Sequence, residues 1–344
     1  MIKILYIGNS NFSSTSYQRA KALERIGHEV MLCDPYLHLD NSGIWQKIHF
    51  KTGYKLIQGS LEKWINSTKQ LLFNPNLIWI NGGELFGPNC IYALKELNVP
   101  IILYTNDDPT GKRDGYRFAS LLQSLPFYDL CVVMRNIQEI EFKIIGAKEV
   151  LRLFMSYDEE AHKPFCNSIE IDSKFHSDVA FIGTWMRHES RDRFLLDLID
   201  DGIPISIWGN RWEKSPFWQN LRQNYRGGAL GGRDYVAAIQ GSKICLGMLS
   251  IGNRDLHTQR SFEIPFIGGL LCAERTSEHQ YLYEEGVEAV FWKDSKECSG
   301  LCKVLLNDAE LRNSIRIRGR NKVLALNAGN EDVCRNIINK LRLS

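Results

Sequence analysis

No stretch of these 344 residues stays apolar for the roughly 18 positions that a membrane-spanning helix needs. The apolar N-terminal run Met1–Gly8 is too short for a secretion signal and reads as a first buried strand. Charge of one sign is lacking as well: 42 Lys and Arg face 40 Asp and Glu, and a net charge of +2 gives no support to nucleic acid as the main partner. Paired cysteines are not in view. Nine is an odd count, and Cys33, Cys131, Cys245 and Cys272 fall inside strand-like runs, which suits reduced thiols in a cytosolic protein. Cys298 and Cys302 share a helix face but have no second ligand pair in the neighbouring sequence, so no metal site is expected. After the first strand, Gly8-Asn-Ser-Asn11 carries no G-x-G-x-x-G, which argues against a Rossmann dehydrogenase. The glycine-rich stretch 227–232 lacks the Lys-Ser/Thr ending of a phosphate-binding P-loop and reads as a flexible turn.

What the chain does have is ordinary globular composition, 44% hydrophobic and 24% charged, at a length that favours two domains. Strand and helix signals alternate throughout. In the first half, strands are expected at 2–7, 29–33, 77–80, 101–104, 130–133 and 150–153, with helices at 16–26, 89–97 and 138–145 between them. The second half restarts the rhythm with strands at 179–182, 203–208, 244–248, 270–273 and 289–291. Such alternation predicts an α/β fold, a mostly parallel sheet with helices on both faces in each half. The stretch from His162 to His176 has no sustained period and carries Pro, Asn and Ser, so it reads as a linker. Domains are therefore expected at 1–165 and 177–330, leaving a cleft between facing strand ends.

The most informative segment runs from Asp255 to Glu263, with seven residues between the two carboxylates, and continues as Ile-Pro-Phe-Ile-Gly268-Gly269. It lies between two apolar strand candidates, where open α/β sheets collect ligands at the strands' carboxyl ends. A helix opening near His257 offers unpaired backbone N–H groups, which makes Thr258 and Gln259 candidates for an anion. Acidic residues favoured by a helix N-terminus are the plainer reading. Two further elements stand out: Asn106-Asp107-Asp108-Pro109 at a strand end, and Trp208-Gly-Asn210-Arg211-Trp212 in a loop. Asp107 or Asp108 could bind or deprotonate a hydroxyl, or the pair could simply end the strand in a turn.

Arg260-Ser-Phe-Glu263-Ile-Pro-Phe-Ile-Gly-Gly269 resembles the Arg-x-Phe-Glu-Ile-Pro-Ala-x-Gly-Gly signature of CgeB-like, spore-maturation-type glycosyltransferases, relatives of the group 1 (family 4-like) enzymes. Asn106–Pro109, Val179–Gly183 and Ile207–Trp212 agree with it. The resemblance implies a GT-B fold of two Rossmann-like domains, a second domain that holds a nucleotide-sugar donor (UDP-, GDP- or dTDP-linked), and transfer to a saccharide or protein acceptor. It also implies a terminal helix, 331–344, crossing back to the first domain. The group 1 pattern is Glu-x7-Glu; here Asp255 takes the first place, one methylene shorter, and no clear Arg-x4-Lys phosphate clamp is present.

By that resemblance Glu263 takes both hydroxyls of a ribose, where an ordinary helix glutamate would sit in a surface ion pair. Asp255 would bond the donor sugar or steady its loop. Arg260 would add charge at the diphosphate or cap a neighbouring carboxylate, and Arg187 and Arg191 are further diphosphate candidates because guanidinium fits phosphate bidentately. Trp208, Asn210 and Arg211 would meet the base, with packing as the alternative for the tryptophan. Gly8 would let backbone approach the donor. Retention of configuration without a metal follows from the likeness, the helix tip and arginines balancing the phosphate charge. An epimerase or hydrolase on the same scaffold, and a binding module without catalysis, are the competing readings. Peripheral membrane association is compatible with all of them.

Overall fold

The computed structural model describes residues 1–39, 43–71, 73–111, 113–167 and 170–342. The chain divides into two compact units: Met1–Phe154 with Gly252–Arg254 and Asn330–Ser344, and Met155–Ile251 with Asp255–Gly329.

The first unit is a six-stranded, all-parallel sheet. Its strands are β1 (Lys3–Ile7), β2 (Glu29–Cys33), β3 (Leu77–Asn81), β4 (Ile101–Tyr104), β5 (Leu130–Val133) and β6 (Val150–Arg152), in spatial order β2-β1-β3-β4-β5-β6. The central strands are unbroken apolar runs with both faces covered, as parallel strands between helix layers must be. Ile78, Ile80, Ile101, Leu103, Cys131 and Val133 build the core on one face. On the other, Tyr6, Trp79 and Tyr104 stack in a ladder with centroids 6.0 and 5.9 Å apart. The buried guanidinium of Arg19 lies 3.7 Å from the Tyr104 ring centroid and donates to Asn81 Oδ1 at 2.8 Å. The helix Thr15–Arg25 carrying Arg19 is capped by Ser14, whose hydroxyl accepts from the Tyr17 amide. The helix Asn330–Lys340 packs in this unit, tied to the first helix by Arg25–Glu331 at 2.7 Å and burying Val333, Ile337 and Ile338. The last two residues of the expected terminal segment, Leu343 and Ser344, lie outside the described residues.

The second unit repeats the plan with β7 (Ser177–Ile182), β8 (Ile205–Trp208), β9 (Tyr225–Gly227), β10 (Ser242–Gly247), β11 (Leu271–Glu274) and β12 (Val290–Trp292). Their order is β12-β11-β10-β7-β8-β9, again parallel throughout. Residues 155–176 count with this unit. Within the stretch read as a linker, the Phe165 backbone is held both ways by the Gln240 amide at 2.8 and 2.9 Å, while Ser168 and Ile169 lie outside the described residues. A third thiol joins the cysteine pair on the helix Ser295–Asn307: Cys272 from β11 comes within 4.8 Å, sulfur to sulfur, of Cys298 and Cys302, all three buried.

Each sheet reverses its winding once, between β1 and β3 and between β7 and β10. At such a reversal the flanking loops leave in opposite directions and open a crevice at the carboxyl ends. Gly209 sits beside the second one with φ +145°, and a Cβ there would come 2.0 Å from the Gly183 carbonyl oxygen. Gly202 is also left-handed, at φ +82°, but has open space around it. Gly209→Ala is therefore expected to cost about 3 kcal/mol or more, the backbone collision adding to the conformational penalty. Gly202→Ala should cost only about 1 kcal/mol. Equilibrium denaturation of the two variants checks the ordering; equal losses would contradict it.

Candidate functional site

In the second unit the loops after β7 and β10 are fastened by side chains. Arg191 opens the helix Arg191–Asp200 and donates to the carbonyls of Thr184, in the first loop, at 3.1 Å and of Leu249, in the second, at 2.8 Å. Glu189 accepts from Ser250 Oγ at 3.0 Å and the Ile251 amide at 2.8 Å. Glu274, at the end of β11, accepts the Leu249 amide at 2.8 Å, and burial raises its carboxyl pKa. These residues line a cavity of about 280 Å³ with Phe194 and Trp292. Arg191 thus has a structural task, yet its Nε is buried with no partner. Burial, and then the like charge of Arg260, disfavour its charged form, with the attraction of Glu189 opposing them. Arg187 is exposed and makes no side-chain hydrogen bond among the described residues.

The helix of the acidic segment runs Arg260–Ile267, with Gln259 as its N-cap, three residues later than the sequence suggests. The residues expected to open it are held in a turn. His257 accepts the Met155 amide at Nε2 (3.0 Å), which assigns the proton to Nδ1, facing Glu278. Thr258 donates its amide to Ser261 Oγ at 3.0 Å, so that N–H is not free for an anion. Ser261 in turn meets His279 Nε2 at 2.7 Å, while His279 Nδ1 faces the Glu274 carbonyl at 2.6 Å. A carbonyl only accepts, so His279 Nδ1 carries its proton and Nε2 receives the serine's. Inside the helix, Pro265 has no N–H for the Ser261 carbonyl, and the Tyr283 phenol fills that vacancy at 2.7 Å. Gly268, at φ +90°, ends the helix and its amide bonds back to Pro265.

Glu263 is buried on this helix. Its Oε2 accepts from the Tyr235 phenol at 2.5 Å, and its Oε1 lies 3.6 Å from His162 Nε2. His162 Nδ1 accepts the Asp158 amide at 2.9 Å, so the hydrogen of the neutral ring is on the nitrogen facing Glu263. Burial, then the glutamate's charge, drive the Tyr235 pKa far up, and Arg260 pulls it down. The half-buried Arg260 is thus felt at both Tyr235 and Arg191, and its own Nε is buried without a partner. Asp255 is buried and its field also reaches Arg191. Gln259 is half-buried.

The remaining second-unit candidates lie at the end of β8. Trp208 is buried within the strand, and neighbouring Trp212 is buried with its indole N–H on the Gly183 carbonyl at 2.8 Å. A buried ring has no open face for a base, so Trp208 packs here. Asn210 Oδ1 accepts the Ala229 amide at 3.0 Å, and Arg211 is exposed with φ +70°.

The first unit places Gly8 at the end of β1 against Ser16 and Asn81; a Cβ would come 2.3 Å from the Ser16 hydroxyl, so the glycine permits close helix approach. Asp107 and Asp108 separate sharply. Asp108 is fully engaged, accepting from Arg254 at 2.6 and 2.8 Å, Thr110 at 3.0 Å and the Gly111 amide at 3.1 Å. Among the described residues the Asp107 carboxylate pairs only with Arg117, at 3.3 Å, and burial raises its pKa against that arginine's pull. Arg117 also pairs with Glu84 at 3.0 Å, which accepts from the Tyr36 phenol at 3.0 Å. Tyr235, His162, Glu189 and the His257–Glu278 pair were not singled out by the sequence; each acts through a partner distant along the chain.

Residues 187–330 match the model of a family described as glycosyl transferase-like. No curated protein sequence matches the chain. The whole chain is similar to HepE of Anabaena, solved with UDP and glucose, at 13% identity and a TM-score of 0.70, with all of both chains covered. It is similar to a sucrose-phosphate synthase of Thermosynechococcus elongatus at 11% identity and a TM-score of 0.70, over 100% of this chain and 99% of the other. A candidate UDP-N-acetylglucosamine 2-epimerase of Listeria monocytogenes aligns at 10% identity and a TM-score of 0.58, over 100% and 97%. The fold is that of GT-B structures, two Rossmann-like domains.

Burial lowers the His279 pKa from 6.5 to about 4. Between those values the unfolded chain binds a proton that the native ring refuses, so acidification favours unfolding. This residue should remove about 3 kcal/mol of stability between pH 6.5 and 4, at about 1.4 kcal/mol per pH unit. Urea melts across that range check it: His279→Gln should flatten the acid limb by about that slope, and an unchanged limb would contradict the assignment.

Proposed function

We propose that this chain is a glycosyltransferase that moves a sugar from a nucleotide-sugar donor to a hydroxyl of a saccharide or protein acceptor. One observation carries the reading. Beside the strand-order reversal of the second unit, two arginines, Arg191 and Arg260, each keep a buried Nε without a partner; Arg260 acts on Arg191 on one side and, with Glu263, on Tyr235 on the other. Buried donors left unmatched are costly, and an anionic diphosphate is the ligand that matches them. The family match over 187–330 and the GT-B fold support the same assignment. HepE was solved with UDP, which makes a UDP-sugar the first donor to test.

In this reading the second unit holds the nucleotide. Glu263 Oε1, with His162 3.6 Å away, accepts a ribose hydroxyl; Oε2 takes the second on the lone pair that Tyr235 leaves open or in place of the phenol. Arg260, Arg191 and the exposed Arg187 serve the diphosphate, with Gln259 at the helix tip beside it and Thr258 offering its hydroxyl, since its amide is bonded to Ser261. Asp255 orients the donor sugar. In the first unit Asp107, rather than the saturated Asp108, binds the acceptor hydroxyl. The bond between the anomeric carbon and the diphosphate oxygen breaks, its electron pair leaving on phosphate. The acceptor oxygen bonds to the anomeric carbon, and its proton passes to the departing phosphate oxygen on the same face. Configuration is then retained, and arginines supply the charge that a metal supplies elsewhere. The CgeB-like signature at Arg260–Gly269 supports this subtype. An epimerase reading draws on the Listeria likeness; inverting C2 would require loss and return of the C2 proton as well as cleavage at the anomeric carbon, and so a base placed over C2.

Thermal melting with UDP, GDP, dTDP, CDP and ADP tests the proposal. One of them at a hundred times its dissociation constant should stabilise the protein by about 2.7 kcal/mol. Glu263→Gln, which keeps an acceptor for Tyr235, should weaken that shift, and Arg260→Ala should abolish it. Five flat responses, or a shift untouched by both substitutions, would contradict donor binding at this place.

A further inference from the structure

In the first unit the helix Gly43–Thr52 buries only His49 among its ten residues. Its outward surface is not that of a solvated helix: Ile44 is 74% exposed and Trp45 48%, and Leu56, one turn beyond the helix, is 64% exposed. Lys47, Lys51 and Lys55 are exposed among them. Charge is concentrated here although the whole chain is nearly balanced. Between Asp40 and Glu62 the sequence holds three lysines and no acid. The helix is nonetheless fixed at its C-terminal end. Gly53 packs against the Tyr116 carbonyl and Ala119, its own carbonyl accepts from Ser120 Oγ at 2.5 Å, and the Phe50 ring lies 5.5 Å from the Arg117 guanidinium. Arg117 is the residue that pairs with Asp107 and Glu84 at the carboxyl end of the sheet.

Exposed tryptophan and isoleucine interleaved with lysines on a short, anchored helix is the pattern of an element lying in a membrane interface. The apolar side chains enter the boundary between headgroups and acyl chains, the indole settles at headgroup level, and ammonium groups meet phosphate. No helix among the described residues is long and apolar enough to cross a membrane, so such contact is peripheral. We propose that this surface docks the protein on a bilayer containing anionic lipid, with Ile44, Trp45 and Leu56 at the acyl boundary and Lys47, Lys51 and Lys55 on the phosphates. The choice of a lipid surface over an acidic protein rests on mixed chemistry: exposed Ile44, Trp45 and Leu56 lie among three lysines and no acid, which suits a surface that offers acyl chains and phosphates together. Docking would hold the acceptor-side carboxylate Asp107 near the membrane, whatever the chemistry there.

Flotation of the full chain with vesicles tests this without donor or acceptor, so its failure is distinct from failure of the glycosyl-transfer reading. Vesicles of phosphatidylcholine alone should bind little, and vesicles that also contain phosphatidylglycerol should bind about tenfold more at low salt, falling as salt rises. Lys47→Glu with Lys51→Glu and Lys55→Glu should abolish the difference. Ile44→Ser with Leu56→Ser should reduce binding while leaving the thermal midpoint in place, since both side chains are largely exposed. Equal binding to both vesicle types, binding to neither, or insensitivity to these substitutions would overturn the proposal. A concentration-dependent dimer that Ile44→Ser with Leu56→Ser dissolves would also overturn it, placing a second copy of the chain on this face.

Discussion

The guanidinium of Arg191 joins two loops that strand order alone would leave to diverge. Between β7 and β10 the second sheet reverses its winding, and nothing in the hydrogen-bond ladder reaches across the gap beyond the strand ends. Arg191 spans it by donating to one carbonyl from each loop, and Glu189 and Glu274 collect the amides of Ile251 and Leu249. Burying an arginine this deeply costs desolvation energy, which the two carbonyls and the neighbouring carboxylates offset only in part. The nitrogen left over is a buried donor without a partner, and on the proposed reading an anionic ligand completes it.

Two demands meet at Glu263. As a buried carboxylate it needs hydrogen bonds to be stable, and the Tyr235 phenol answers that need, with the His162 ring 3.6 Å away, beyond hydrogen-bond reach. In the proposed donor complex it also needs open lone pairs, and among the described residues no donor bonds to Oε1. On the proposed reading the tyrosine is a neutral donor that holds the carboxylate until a ribose hydroxyl displaces it. The His279–Ser261–Thr258 chain and the Tyr283 phenol fix the helix on which this exchange takes place, and they do so with uncharged groups that leave the local field to the arginines.

Much of this plan was legible in the residues. Parallel strands covered on both faces must be uninterrupted apolar runs, so Ile101–Tyr104 and Leu130–Val133 announce themselves. β9 does not: Tyr225–Gly227 is three residues long and joins β8 through backbone pairing with a register shift, which no side-chain pattern encodes. The helix of Arg260–Ile267 was visible from its glycine stop, but its start was misplaced, because His257 and Thr258 are tied to Glu278, Met155 and Ser261 rather than to the helix. Asp107 and Asp108 looked equivalent in the sequence. The turn bonds from Thr110 and Gly111 and the arrival of Arg254, 146 positions later, distinguish them, saturating Asp108 and leaving Asp107 to Arg117. Tyr235 escaped notice for the same reason, since its contact with Glu263 has no local signature.

The central claim is that the crevice beside β7 and β10 is where a nucleotide binds. Hydrogen–deuterium exchange with and without UDP-glucose tests it most directly. The account predicts slowed exchange at the backbone of residues 184–191 and 248–263, where the loops and the helix tip close on the ligand. Protection confined to other parts of the chain, with these two segments unchanged at saturating UDP-glucose, would contradict it.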